Sequence, residues 1–522
     1  MPIVPQGITR VVPPFPYQRR VALKEAFMAV VRPWTAKTQR LFTPAEQALL
    51  TPYLTDVRAR IDLRQKYVDA LMDDHVQALR WYADHGLSLS EAMKRLAPAQ
   101  LSDFYLRERT EWYPLDTAAK VYPLSMGLKR MMMFRMSFYL KRPVEPQILQ
   151  MALNYTMRRF PYFATTIKCG LFWHYIDSSM RRYALLPETL PPCAPIRLNA
   201  ISSPTFRVVW HGNRVSVEFF HVLTDGTGAT IFLRTLLREY LRLLGCDVPL
   251  SEGMFCLTDT PDPHEWADDF LIADKHPSPE GFGDKTALQM RGLPSIEQPA
   301  RVLHFNLSVE TLRRKAKEKG VTITTLLLGL MMLALKDAAE PHGGKRKLQV
   351  QLPVNMRKFY PSKSLRNFSM YCSIRLHPVE ITGLDAILPK LSAQVCENTS
   401  KDSLDRTMTL SRKLVNYLRF VPLMVKRPIA YMIYGRLSDG VFTTTFSNLG
   451  AICLPVEMQP YVEKFDMVLG PAIRNRAVCS LCSYGDRAVF TVVKNTPLPA
   501  FENALYAYMV KLGLEPYVEG TA

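Results

Sequence analysis

No serine occurs before Ser88, no second CxxC accompanies the pair Cys479 and Cys482, and no apolar run is long enough to cross a bilayer. Each absence excludes something. The N-terminal "MPIVPQGITRVVPPFPYQRR" is basic, yet it has neither the continuous apolar core of a signal peptide nor the serines of a transit peptide. The longest apolar run, "LLLGLMMLAL" at 326–335, is about half the roughly 20 residues a membrane helix needs. The nine cysteines are scattered and form no disulfide framework, which points to a reducing compartment. Cys479 and Cys482 lie in "AVCSLCSYGDRAVFTVV", which reads as a hairpin turning at Gly485-Asp486. Residues three apart on a strand face opposite sides, so the pair is poorly placed to chelate one ion, and no metal is expected. A soluble, cytoplasmic protein is the expectation.

What is present is positive charge. The net charge is +19 and the pI about 9.5. Such a surface suits a nucleic acid, a membrane, a phosphorylated cofactor or an acidic protein, or it is simply solvated. No aromatic residues interleave with a basic motif of RRM or OB type, which argues against nucleic acid. A chain of 522 residues can bury more than one core. Residues 1–111 read as a helical extension. In "ALKEAFMAVV" and "DLRQKYVDALMDDHVQALRWYADHG" apolar positions recur every three or four residues, and "SLSEAMKRLA" carries serine and glutamate at a helix start. From Trp112 the texture is α/β. Residues 112–265 hold a strand "RMMMFRMSFYL", a helix "EPQILQMALNYTMRRF" and a hairpin around Gly212-Asn213. The Pro- and Asp-rich stretch 266–299 reads as a crossover, and strand, helix, helix, strand resume in 300–522.

One stretch, "FFHVLTDGTGATIFLRTLLREY" at 219–240, combines a strand end, a glycine turn and a helix start. Three chemistries compete with a purely structural reading. A dinucleotide fingerprint needs a third small residue where Ile231 stands, and an acidic strand end about twenty residues on; Asp247 lies in "GCDVP" instead. A metal held by His221 and Asp225 lacks a third ligand at a recognisable spacing. A general base fits better. Val215, Val217, Phe219 and His221 alternate onto one face, so the strand delivers an imidazole at its end. Asp225 is placed to brace the loop through backbone N–H groups or an arginine, and Gly226 and Gly228 permit a sharp turn and close approach of a substrate. A neutral histidine takes a proton near neutral pH. By itself the pattern equally suits a histidine that ends a core strand.

The segment "FHVLTDG" resembles the H-H-x-x-x-D-G motif of the coenzyme-A-dependent acyltransferase superfamily, which includes chloramphenicol acetyltransferase, condensation domains and alcohol acetyltransferases. "RRFPYFATTI" is similar to that family's early R-H-P-x-L segment, "LPVNMRKFYPSKSLRNFS" to its P-V-N-x-R segment, and "FTTTFSNLGAICLP" to its S-N-L-G segment. The order matches over 112–522, closest to bacterial alcohol-acetyltransferase-like members. Phe220 stands where the first histidine would, Ala164 where condensation domains carry an arginine that pairs with the aspartate, and the plant D-F-G-W-G motif is absent.

The resemblance implies two chloramphenicol-acetyltransferase-like α/β lobes with a tunnel at their interface, preceded by the helical extension. It implies His221 as general base, Asp225 as the loop-holding residue and Gly226 as the turn residue. Ser447 and Asn448 would face substrate from the second lobe. Asn355 and Arg357 would line the substrate channel or brace the loop. Arg159 is the arginine nearest to hand for Asp225. The donor would be acyl-CoA as co-substrate, or an acyl carrier protein; the acceptor would be an alcohol, an amine or a lipid. No permanently bound cofactor is implied. "LRFVPLMVKRPIAYMIYGRL" at 418–437 mixes apolar and basic residues. It reads as a packed helix, or as a segment lining a channel or making peripheral membrane contact. The competing class is a catalytically degenerate condensation-like domain that docks carrier proteins or other partners.

Overall fold

Thr43, Ser88, Ser308, Thr322 and Ser400 each precede a helix, and each side-chain oxygen accepts a backbone N–H of the first turn. Donors that have no partner within the helix are thereby satisfied. A computed structural model describes residues 36–106, 111–124, 131–196, 203–272, 285–294, 301–341, 344–429, 440–471 and 475–520. The helix expected at "ALKEAFMAVV" lies outside the described residues.

Contacts divide the chain into two units, 1–98 and 99–522. The first unit contains α1 (Pro44–Ala59), α2 (Gln65–Asp84) and α3 (Leu89–Arg95). Leu50, Leu54 and Val57 of α1 are buried, as are Val68, Leu71, Leu79 and Tyr82 of α2. The three- and four-residue spacing of these positions gives each helix one apolar stripe.

Among the described residues the second unit has three sheets. The strands of its first half are β1 (Trp112–Pro114), β2 (Met133–Leu140), β3 (Thr165–Cys169), β4 (His174–Ser178), β5 (Leu185–Pro187), β6 (Phe206–His211) and β7 (Arg214–Phe220). Those of the second half are β8 (Arg301–Ser308), β9 (Leu348–Asn355), β10 (Ser369–Leu376), β11 (Thr444–Ala451), β12 (Val462–Leu469), β13 (Ala477–Tyr484), β14 (Arg487–Lys494) and β15 (Tyr517–Gly520). A five-stranded sheet has the order β12-β2-β7-β6-β5, a seven-stranded sheet the order β10-β9-β11-β13-β14-β8-β15, and a small sheet the order β1-β4-β3. The helices of the second unit include α4 (Pro146–Thr156), α5 (Gly226–Leu243), α6 (Val309–Glu318), α7 (Ile323–Ala338), α8 (Leu384–Asn398), α9 (Lys401–Tyr417) and α10 (Ala500–Lys511).

Both faces of β7 are buried. On one face Phe219, Phe206, Phe163 and Phe232 form an aromatic layer beneath α5. On the other, Glu218 takes Arg135 and Arg207, and Ser216 bonds Ser137 across the pair. The polar alternates are therefore neutralised, not solvated. The run 326–335 belongs to α7, which is buried almost throughout and packs beside α8 and α10. The strand β12, though it lies within 300–522, pairs antiparallel with β2 and completes the five-stranded sheet.

Gly226 and Gly228 occupy the first turn of α5 without a positive φ. Gly228 is needed for close approach to the protein itself: a Cβ there would collide with Thr224 Oγ1 and the Leu365 carbonyl. A Cβ on Gly226 would meet only side-chain tips, Leu449 Cδ1 at 3.0 Å and Met136 Cε at 3.5 Å. Gly228→Ala should therefore lower stability by about 1–3 kcal/mol, although alanine is the better helix former, whereas Gly226→Ala should be nearly neutral. Urea unfolding followed by circular dichroism separates the two.

Candidate active site

The strand β7 hands the chain to His221, whose backbone N–H bonds the Met132 carbonyl at 2.8 Å. A turn closes from Leu223 N–H to Phe220 O at 2.9 Å, and Asp225 then opens α5 as its N-cap. Asp225 Oδ1 accepts the N–H groups of Thr227 and Gly228 at 3.1 and 3.3 Å. Its Oδ2 takes Arg357 Nη1 at 2.7 Å, Phe368 N–H at 2.9 Å and Ser369 Oγ at 3.3 Å. The partner of Asp225 is thus Arg357. Arg159 instead grips Glu265 through two bonds of 2.7 and 2.6 Å and stacks on Phe255. Glu265 in turn accepts Leu365 N–H through its carbonyl at 2.7 Å, so Arg159 supports the same loop one step removed.

That loop, 356–368 between β9 and β10, bridges the motif residues of the two halves. Arg357 also donates to the carbonyls of Ser364 and Arg366, both at 2.7 Å, which folds the loop back on itself. Asn355 accepts Arg357 N–H at 3.0 Å and donates to Thr227 Oγ1 at 3.1 Å. Both residues of "VNMR" are committed to these internal bonds.

At the far end of the loop, Asn367 Oδ1 lies 2.8 Å from His221 Nδ1, and Asn367 Nδ2 donates to Asp116 Oδ2 at 3.0 Å. Because the amide nitrogen faces a carboxylate, the amide oxygen faces the imidazole. Nδ1 then carries the proton and Nε2 keeps its lone pair. Burial pushes the Asp116 carboxyl up, against the pull of Arg366 (Nε at 3.5 Å), the Ala119 N–H and the Asn367 amide. Arg366 is anchored by the carbonyls of Trp266 and Pro114. The rings of Tyr122 and Phe134 flank the imidazole, each with its centre 4.9 Å away, and His221 is half-buried.

From the second half, β11 brings Leu449 against Gly226. Ser447, opposite Ser480, and Asn448 are half-buried on this strand. The amide of Asn448 donates to Thr324 Oγ1 at 2.8 Å and accepts Gly450 N–H at 2.9 Å. It thereby holds a bulge that Gly450, at φ +85°, makes feasible. The residues that sequence reasoning passed over are Asn367, Asp116, Tyr122 and Arg366. Asn367 and Arg366 sit inside "LPVNMRKFYPSKSLRNFS", so their neighbourhood was visible; "YPLDTAA" around Asp116 carries no comparable signal. Among the described residues no group of three His, Cys, Asp or Glu side chains is placed to hold a metal.

Asp225 is 2% exposed and Arg357 is largely buried, so removing either leaves an unbalanced charge. Arg357→Ala should cost about 3–5 kcal/mol in urea unfolding. Arg357→Lys should recover only part of this, because one ammonium cannot reach Asp225 and both loop carbonyls. In protein labelled with ¹⁵N-histidine, His221 should be the Nδ1–H tautomer, and Asn367→Leu should shift it toward the Nε2–H form. An unchanged tautomer would remove Asn367 from the orienting role.

No family model matches the sequence, and no curated protein does. Solved structures do match. The trichothecene 15-O-acetyltransferase of Fusarium sporotrichioides has 12% identity over 77% of this chain and 95% of its own, with a TM-score of 0.51. The first condensation domain of the CDA synthetase has 14% identity over 78% and 98%, with a TM-score of 0.52. TRI101 of F. graminearum, solved with coenzyme A and T-2 mycotoxin, has 13% identity over 78% and 99%, with a TM-score of 0.54. At such identities the likeness is one of fold. The chain has the two-lobed, chloramphenicol-acetyltransferase-like α/β fold of the CoA-dependent acyltransferases and condensation domains.

Proposed function

We propose that the protein transfers an acyl group from a CoA or carrier-protein thioester to an alcohol or amine, with His221 as general base. The observation that carries this reading is the half-buried imidazole whose Nδ1 is tied to Asn367, leaving Nε2 to receive a proton. The fold supports it, since structural neighbours include a named O-acetyltransferase and a protein solved with coenzyme A.

In this mechanism Nε2 takes the proton from the acceptor O–H or N–H as that atom attacks the thioester carbonyl. The tetrahedral intermediate collapses with cleavage of the C–S bond, and the imidazolium returns its proton to the departing thiolate. No acyl-enzyme forms, so catalysis rests on positioning and on stabilising the oxyanion. Asp225 touches no reacting atom in this scheme; it holds the turn and the loop that present His221. Because the Asn448 amide is spent on the β11 bulge, Ser447 is the member of "SNLG" whose hydroxyl is assigned to the oxyanion. The +19 charge favours an anionic donor such as CoA or an acidic carrier.

The test measures thiol release from acetyl-CoA and longer acyl-CoAs with a panel of alcohols and amines. Acceptor-dependent release is expected, and His221→Ala should lower it by about 10²–10⁴-fold. Release undiminished in His221→Ala would overturn the base assignment. Absence of release with every CoA donor and acyl-loaded carrier would favour a partner-binding module.

A further inference from the structure

A cavity of about 1090 Å³ lies between β1, the tip of the β3–β4 hairpin and α9. That is the upper end of the range for small-molecule sites. Trp112, Leu115, Leu171, Phe172 and Val415 supply apolar wall. The charged side chains in its lining are Lys120, Arg412, Lys413 and Arg419, and among the described residues no carboxylate joins them.

Among the described residues, one buried side chain in the lining and one packed against its wall lack hydrogen-bond partners. His174, in the lining, is 3% exposed, and neither ring nitrogen has one. Lys426 is also 3% exposed; its ammonium has no acceptor and lies 3.3 Å from the ring centre of Trp173, another wall residue. Burial and the charges of Arg427 and Lys426 push His174 down to about 4, while burial and Lys120 bring Lys426 down to about 8. Stacking on an aromatic ring stabilises a cation, but it does not replace three hydrogen bonds. Buried polar groups normally find partners. An anion would supply acceptors to both side chains and offset the repulsion between Lys120 and Lys426.

The cavity also has a relation to the active site and an apolar lip. Leu115 and Thr117 line it and flank Asp116, whose carboxylate holds Asn367 and through it His221. Beyond the rim, Leu423 N–H bonds the Leu171 carbonyl at 2.8 Å and Phe420 meets the edge of Phe172. Leu171, Phe420 and Met424 are 72%, 68% and 89% exposed. Within 418–429, then, the packed-helix expectation holds for Leu423 and Lys426 but not for Phe420 or Met424; the remainder of 418–437 lies outside the described residues.

We propose that this cavity binds an anionic amphiphile. Its carboxylate or phosphate headgroup is held by His174, Lys426 and Lys120, and its hydrocarbon body rests on Leu115, Leu171 and Phe172. The lining holds none of the residues around His221, so this site does not rest on the acyltransferase reading.

Binding is therefore measured apart from catalysis, by calorimetry on the full chain with dodecyl phosphate and the neutral dodecyl maltoside, both below their micelle concentrations. Dodecyl phosphate should bind at least about tenfold more tightly, and His174→Phe, Lys426→Met and the milder Lys120→Ala should each weaken it by about tenfold. His221→Ala should leave it unchanged. Co-sedimentation with phosphatidylglycerol vesicles distinguishes the source: capture lost in the same variants means the headgroup is taken from a bilayer, and no capture alongside dodecyl phosphate binding means a dispersed amphiphile. Equal affinity for the two detergents, or no effect of the three substitutions, would overturn the anion site.

Discussion

The carboxylate of Asp225 is the point on which the site depends. It is almost wholly buried yet charged, and it accepts from two backbone groups of its own helix, from one backbone group and one hydroxyl of β10 and its approach, and from Arg357. A charge removed from water is tolerated only where such partners surround it. Meeting that demand forces a loop of the second half onto the first. The turn after His221, the start of α5 and the start of β10 all take their positions from this one group.

A second ion pair completes the clamp. Arg357 stands at the beginning of the loop and Arg366 near its end, and each faces a buried aspartate from the first half of the chain. Asn367 follows directly, with Asp116 on one side of its amide and His221 on the other. The orientation of the imidazole is thus set by a neutral amide whose own direction is set by a carboxylate. The arrangement holds the tautomer without placing a negative charge against the ring.

Much of this was legible in the sequence, for reasons that can be named. The strand–turn–helix around His221 follows from local rules: alternation in "VSVEFF", an Asp at the cap and glycine where the chain crowds itself. Arg357 was identified as a loop-bracing candidate because it sits in a motif with a recognisable order. Its partner was not, since nothing local distinguishes Arg357 from Arg159; only the fold sends one to Asp225 and the other to Glu265. The role of Asn367 and the place of Asp116 were hidden for the same reason, since the two lie 251 residues apart and are meaningful only as a pair. The pairing of β12 with β2 was not legible, because β12 has the composition of any core strand, and hydrophobic patterning records burial but not which sheet supplies the neighbour.

The placement of β12 bears on how the chain is made. The five-stranded sheet cannot close its β2 edge until residues 462–469 have emerged, and the bond from Tyr139 to Asp466 spans 327 positions. A ribosome has therefore moved 327 positions beyond Tyr139 before the first-half sheet acquires the partner of β2. Until then β2 offers an open row of N–H and C=O groups, the kind of edge that pairs with the wrong chain. Contacts this distant in sequence also form slowly, because the loop they close must be ordered first. The strand that ties the halves together thus sets a late and vulnerable step in biogenesis, at which a holding chaperone has an obvious substrate.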